Sequence, residues 1–146
     1  MISTVPAVLD ALLSLWAKAL PGVQVVDGQP LEVEPDVVFV GFTGLPGEPV
    51  VTSTRTREQA ATLPEHEAYA ITCLASSLRG ETDAKQVRDR VYEMVSALAG
   101  ELAADPTLGG LVARAELSTE SFAQEQTNEG AAATLQFVVN VDAWTE

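Results

Sequence analysis

From Ala84 to Leu102 the chain repeats apolar residues on one helical face. Ala84, Val87, Val91, Met94, Val95, Leu98 and Leu102 recur at three- and four-residue steps, the spacing of neighbours along one side of an α-helix. On both sides of this stretch the pattern changes to alternation. "HEAYAITCLASSL" sets Tyr69, Ile71 and Cys73 on one parity against Ala70, Thr72 and Leu74. "LVARAELSTESFAQEQ" sets Leu111, Ala113, Ala115 and Leu117 against Arg114, Glu116, Ser118 and Glu120. Period two is the signal of a strand. A long amphipathic helix between two strands is expected to cover a sheet. Burial of each larger apolar side chain is worth about 1.5–3 kcal/mol, whereas the solvated pairs Glu81–Lys85 and Lys85–Asp89 contribute about 0.2–0.5 kcal/mol each.

The ends of this helix are marked. Thr82 is the expected N-cap, with Asp83 in the first turn. At the other end, in "ELAADPTLGGLVARAELS", Pro106 disfavours the helical conformation at Asp105 and cannot extend the hydrogen-bond ladder. Gly109 and Gly110 then supply a turn with permissive backbone angles.

The first twenty residues give a second helix. Thr4 is placed as N-cap, Pro6 lies in the opening turn, and Val5, Val8, Leu9, Leu12, Leu13, Trp16 and Leu20 follow at helical spacing until Pro21-Gly22. Short extended pieces come next. "VQVV" is followed by "DGQP", a hairpin-like turn signal. "LEVEPDVVFVGF" puts Glu32, Glu34 and Asp36 on one parity, "TGLPGEP" is a loop, and Thr-rich "VVTSTRTREQ" reads as a strand near an edge. After the turn "TNEGAA", "TLQFVVNVDAW" returns with Leu135, Phe137, Val139 and Val141 facing in, closing a hairpin. The expectation is one α+β domain over residues 1–146. Its sheet is mostly antiparallel, with two covering helices, in the order α-β-β-β-(β)-α-β-β.

Charge excludes several functions. Among 146 residues 21 are acidic and 8 basic, for a net charge of −13. That surface repels phosphate backbones and offers no Lys/Arg footprint for sequence-specific nucleic-acid binding. Cys73, the one cysteine, rules out an internal disulfide and reads as a small buried hydrophobe. The N-terminal stretch lacks the basic start of a signal peptide, and Asp10 interrupts its apolar run. Hydrolytic dyads and triads would have to use His66, the one histidine, which is flanked by Glu65 and Glu67 and reads as a solvated strand start. "RGETDAKQVRDR" interleaves acids with Arg79, Lys85, Arg88 and Arg90 and reads as a helix surface. No phosphate loop, dinucleotide fingerprint, zinc pattern or EF-hand is present. No catalytic, cofactor-binding or metal-binding residue is assigned.

The second half of the chain resembles the tail terminator (tail-completion, tail-to-head joining) proteins of long-tailed bacteriophages. The features that carry the resemblance are a strand ending in small residues with Gly80, the Thr-Asp helix start, the "ADPTLGGLV" turn, and a final hairpin with a Gly-containing tip. It implies a non-enzymatic virion protein, made in the host cytoplasm, that forms a sixfold ring on the head-proximal end of the tail tube. The implied partners are further copies of itself, the tail tube protein and the head-tail connector or stopper, with no cofactor and no membrane. DNA passing through such a ring favours a lumen that repels phosphate. The candidate lining acids are Glu32, Glu34, Asp36, Glu116 and Glu120, although ordinary solvated strand faces are the simpler reading of the same residues. Arg55 and Arg57 are candidate subunit or tube contacts. The competing readings are a head-completion or stopper protein of the phage neck, a prophage-derived tail-like particle component, and, from another class, a small acidic α+β ligand-binding or dimeric-barrel enzyme domain.

Overall fold

The computed structural model describes residues 2–30, 32–57, 65–80, 83–128 and 130–145, without the side chains of residues 56, 57 and 127. Helix α1 is Val5–Ala19 and α2 is Ala84–Ala104. The strands are β1 (Gln24–Asp27), β2 (Asp36–Val40), β3 (Val51–Arg57), β4 (Glu65–Arg79), β5 (Arg114–Thr127) and β6 (Gly130–Thr145). They form one sheet in the order β1-β2-β4-β6-β5, with β3 also paired to β4. The expected α+β class, mostly antiparallel sheet and two helices are all observed.

β4 is the backbone of the sheet. On one side it pairs along its whole length with β6, from Glu65↔Thr145 to Arg79↔Ala131. On the other side β2 takes residues 73–77 and β3 takes residues 65–71. Between them the chain leaves after Phe42, whose N–H reaches the Thr72 carbonyl (3.0 Å), and returns at Val50, whose carbonyl accepts from Thr72 N–H (2.8 Å). β2 and β3 are thus one long strand interrupted by the "TGLPGEP" excursion.

One expectation fails here. "DGQP" reads as a hairpin turn, but β1 and β2 run parallel, with Gln24↔Val37 through Asp27↔Val40 in register. The residues Glu32 to Pro35 are not strand either. They carry the chain back so that β2 can start level with β1, because parallel neighbours need a return crossing that a tight hairpin cannot supply.

The helices lie on one face of the sheet. α1 buries Val8, Leu12 and Trp16, and α2 buries Val87, Val91, Met94, Val95, Leu98 and Leu102. They meet the inward parity of β4 (Tyr69, Ile71, Cys73, Ala75) and β6 (Leu135, Phe137, Val139, Val141) in one core. Trp16 stands edge-on to Phe137, with ring centroids 5.9 Å apart. A smaller cluster of Val37, Phe39 and Leu74 on the opposite face is flanked by Val26 and Phe42.

Two local readings are refined. Asp83 is the N-cap of α2, accepting from Gln86 N–H at 3.1 Å, while Thr82, the expected cap, and Glu81 lie outside the described residues. At the C-terminal end α2 stops at Asp105, and Gly109 and Gly110 adopt positive φ of 72° and 89°, as the turn chemistry requires. The glycine at the start of β6 has a steric reason. A Cβ on Gly130 would stand 2.1 Å from the Arg79 carbonyl oxygen, so only glycine lets the hairpin close against the end of β4.

Candidate assembly surfaces

Two of the candidate residues on β2 and β3, Asp36 and Arg55, belong to the subunit's own structure. Asp36 begins β2 on the helix-covered parity and is half-buried. Its Oδ1 accepts from Ser77 Oγ (2.7 Å) and Arg79 (2.8 Å), and its Oδ2 from Arg90 Nε of α2 (2.9 Å) and from Arg79 (3.1 Å). It does not form one exposed stripe with Glu32 and Glu34, which are exposed in the segment before the strand. Burial alone would raise the Asp36 carboxyl, but the hydrogen bonds from Arg79, Ser77 and Arg90 outweigh it and hold the group at about 2, below the ordinary 3.8. A depressed carboxyl stabilises the fold above its ordinary pKa and loses that contribution as pH falls through the folded value. Asp36→Asn is therefore expected to be destabilising by about 1–2 kcal/mol at neutral pH. The gap from wild type should shrink between about pH 4 and pH 2 in urea titrations.

Arg55 is likewise committed within the subunit. Its Nε donates to Glu65 (2.9 Å), its second amino group to Thr145 Oγ1 (2.7 Å), and its remaining amino group to the Ile2 carbonyl while lying 3.5 Å from Glu67. The guanidinium ties β3, β4, β6 and the start of α1 together and is not held out for a partner. Arg57 pairs in register with Glu65 through the backbone; its side chain lies outside the described residues.

Glu67 was not singled out by the sequence, and His66 beside it reads there as a solvated position. The strand parity separates the two. Glu67 faces the core at 1% exposure and accepts from Ser3 Oγ (2.6 Å), Thr4 N–H (2.9 Å) and Thr4 Oγ1 (2.8 Å). Thr4 is the N-cap of α1 by position but makes no cap bond with its own side chain. Its hydroxyl serves Glu67 and the Tyr69 hydroxyl, 2.9 Å away. Burial pushes the Tyr69 phenol up to about 12 and the Cys73 thiol up to about 12, so neither ionises in the working range. His66 points to the other face, where it lies 3.2 Å from Asp142 and against the Trp144 ring at 4.9 Å.

That other face is largely uncovered. Along β5 and β6 it presents Glu116, Ser118, Asn140, Asp142 and Trp144, all exposed, with Trp144 at 51%. Asn140 donates to Ser118 at 3.4 Å, and Arg114 pairs with Glu116. A register shift between Thr119 and Ser121 makes Glu120 an extra residue, a β-bulge. Glu120 accepts from Gln136 of the same face at 2.8 Å, so Glu116 and Glu120 do lie on one open surface. The bulge also reverses the parity beyond it. Phe122 is thereby carried to the helix side, 5.3 Å from the Tyr92 ring, and both rings remain exposed.

Among the described residues β5 is an edge strand of fourteen residues paired only with β6. Ala115 turns its N–H away from β6, donating to the Pro106 carbonyl at 2.7 Å. By the alternation of a strand, Leu117 and Thr119 direct their N–H and C=O groups the same way. Beside this edge a hollow of about 750 Å³ opens between α2 and β5, lined by Ala99, Leu102, Ala103, Ala115 and Leu117, with Arg114 and Glu116 at its rim. Among the described residues no group of three or more His, Cys, Asp or Glu is placed to hold a metal ion, and no helix is long and apolar enough to cross a membrane. No family model matches the chain, and no curated protein matches its sequence.

Proposed function

We propose that this protein is a structural subunit of a long-tailed bacteriophage, the terminator that closes the head-proximal end of the tail tube as a ring of identical copies. The observation that carries the reading is the β5 edge, open at Leu117 and Thr119 between the Pro106 contact and the bulge at Glu120, beside a sheet face that neither described helix covers. Exposed strand edges are ordinarily short, bent or blocked, because they template further pairing. A chain that keeps such an edge beside a bare face is suited to meeting other chains. The element order, with the α2 helix, the Gly-Gly turn and the β5–β6 hairpin in sequence, agrees with the resemblance that suggested the role.

The charge distribution fits a passage for DNA. Residues after Arg114 include no Lys or Arg, and the open face of the hairpin carries Glu116, Glu120 and Asp142. Facing a lumen, such a surface repels phosphate and lets the duplex slide. Glu116 and Glu120 are therefore kept as lining candidates, and Asp36 is withdrawn from that role because two arginines neutralise it.

The test is to mix the purified chain with tail tubes and view the ends by negative-stain microscopy. Sixfold collars on one end and an arrested tube length are expected. Tubes that keep growing with bare ends would sink the role. Within that role, collars formed by the double variant Glu116→Lys/Glu120→Lys should slow DNA ejection; collars that form and leave ejection unchanged remove the lumen assignment alone.

A further inference from the structure

We infer that the β5 edge is the acceptor of an intersubunit sheet, and that its occupant is β3 of a second copy of this chain. The inference rests on the ring reading for the identity of its partner, but the pairing itself is argued from strand direction, parity and charge.

Strand direction comes first. β3 is antiparallel to β4, β4 to β6 and β6 to β5. A neighbour placed beside β5, with its helices on the same side of the sheet, therefore offers β3 antiparallel to β5. Parity agrees. The Thr72 N–H bond to the Val50 carbonyl makes Val51↔Ile71 a non-hydrogen-bonded pair, so Val51, Ser53 and Arg55 direct their backbone groups away from β4. These are the residues whose side chains share the helix-covered face. On β5 the outward-directed residues, Leu117 and Thr119, share that same face. Antiparallel partners that exchange hydrogen bonds carry their side chains on one face, so the two edges join without turning either sheet over. Small residues of β3, such as Ser53, would then lie over the hollow between α2 and β5.

Charge selects β3 from the other free edges. Antiparallel pairing of β5 with a second β5 would bring two strands that each carry Glu116, Glu120 and Glu125 side by side, and like charges facing each other across strands are destabilising. β1 has only four residues and ends in Asp27. β3 carries no acid, and its exposed Thr52 and Thr54 bring hydroxyl donors to the face where Glu116 accepts. The contact joins two different patches, so it repeats head to tail and is able to close a ring.

Proline variants test this without needing the register. Leu117→Pro deletes an outward N–H of β5, and Ser53→Pro deletes one of β3; proline is tolerated on an edge but blocks further pairing. Light scattering on the full chain at high concentration should show oligomers for wild type and monomers for each variant, with unchanged circular dichroism. Mixed together, the two variants should give a heterodimer that grows no further, since each retains the edge that the other lacks. Should Leu117→Pro unfold the chain, Ala103→Trp, which fills the hollow from the exposed side of α2, is expected to block assembly in its place. Rings that persist in both Leu117→Pro and Ala103→Trp overturn the pairing and leave the terminator reading intact. Self-association of Ser53→Pro into a dimer indicates a β5–β5 contact and overturns it too, as does a wild-type chain that stays monomeric. Chains that pair in this way but cap no tube uphold the inference and sink the terminator role.

Discussion

Glu67→Ala is expected to be among the most damaging single substitutions in this protein, costing about 2–3 kcal/mol because buried donors lose their charged acceptor. The carboxylate is enclosed and accepts three hydrogen bonds from Ser3 and Thr4, with Arg55 3.5 Å away. Those bonds sit at the N-terminus of α1, where backbone N–H groups lack intrahelical partners and a negative charge is favoured. Truncation leaves the Thr4 N–H and hydroxyl without their acceptor and Arg55 short of one of its carboxylates. A typical domain has only about 5–15 kcal/mol in total, so a large part of the margin disappears. Glu67→Gln should fall between: one oxygen still accepts, but the amide turns donors toward donors. The pH dependence gives a second readout. Burial alone would raise the Glu67 carboxyl, and the bonds from Ser3 and Thr4, together with Arg55, bring it below its ordinary 4.5. Its contribution is therefore complete above that value and fades as pH falls through the folded one. Urea midpoints of wild type should drop on acidification more steeply than those of Glu67→Gln. A Glu67→Ala variant within about 0.5 kcal/mol of wild type, the range of ordinary surface changes, would show that the knot adds nothing.

The same residue shows how far the sequence could be read. The two helices, the six extended stretches and the Asp-Pro/Gly-Gly join were legible, because apolar periodicity and turn chemistry are local signals. The parity of Tyr69, Ile71 and Cys73 already placed Glu67 on the inward side, so its burial had a signal in the pattern. The flanking charges of Glu65 and His66 pointed the other way. Asp36 was harder. Its partners Arg79 and Arg90 are 43 and 54 residues away, and which arginines reach which strand end is decided by tertiary placement. The parallel β1–β2 pair was hidden for a related reason, since a "DGQP" turn reports where the chain bends and not how far it then travels. The bulge at Glu120 has no counterpart in the alternation of "ELSTESFAQEQ". It became visible only in the pairing with β6, yet it sets which face Phe122 and Glu120 occupy. The surfaces on which assembly is argued, the free β5 edge and the bare sheet face, are properties of strand order, which no stretch of sequence states.

Trp16→Ala is expected to cost about 3–5 kcal/mol, as large-to-small changes at fully buried aromatic positions do. Trp16 is the largest of the fully buried side chains and joins α1 to Phe137 in the centre of β6. Its removal empties the space between helix and sheet, and Leu12, one turn back along α1, is too short to refill it. The indole carries one cost of its own, because its Nε1–H is buried and has no hydrogen-bond partner among the described residues. An unsatisfied buried donor costs about 1–3 kcal/mol. Trp16→Phe discards that donor while keeping most of the ring contact, so it should lose far less than Trp16→Ala, about 1 kcal/mol or below. Fluorescence separates the two tryptophans, since Trp144 is 51% exposed and Trp16 is enclosed. Wild-type emission should combine a shifted, buried component with a solvated one, and both Trp16 variants should retain only the solvated component. Denaturant titration then measures the difference between Ala and Phe. A Trp16→Ala chain that unfolds at the wild-type midpoint would mean that α1 is not part of the cooperative core. A Trp16→Phe chain as unstable as Trp16→Ala would mean that the indole N–H finds a partner after all.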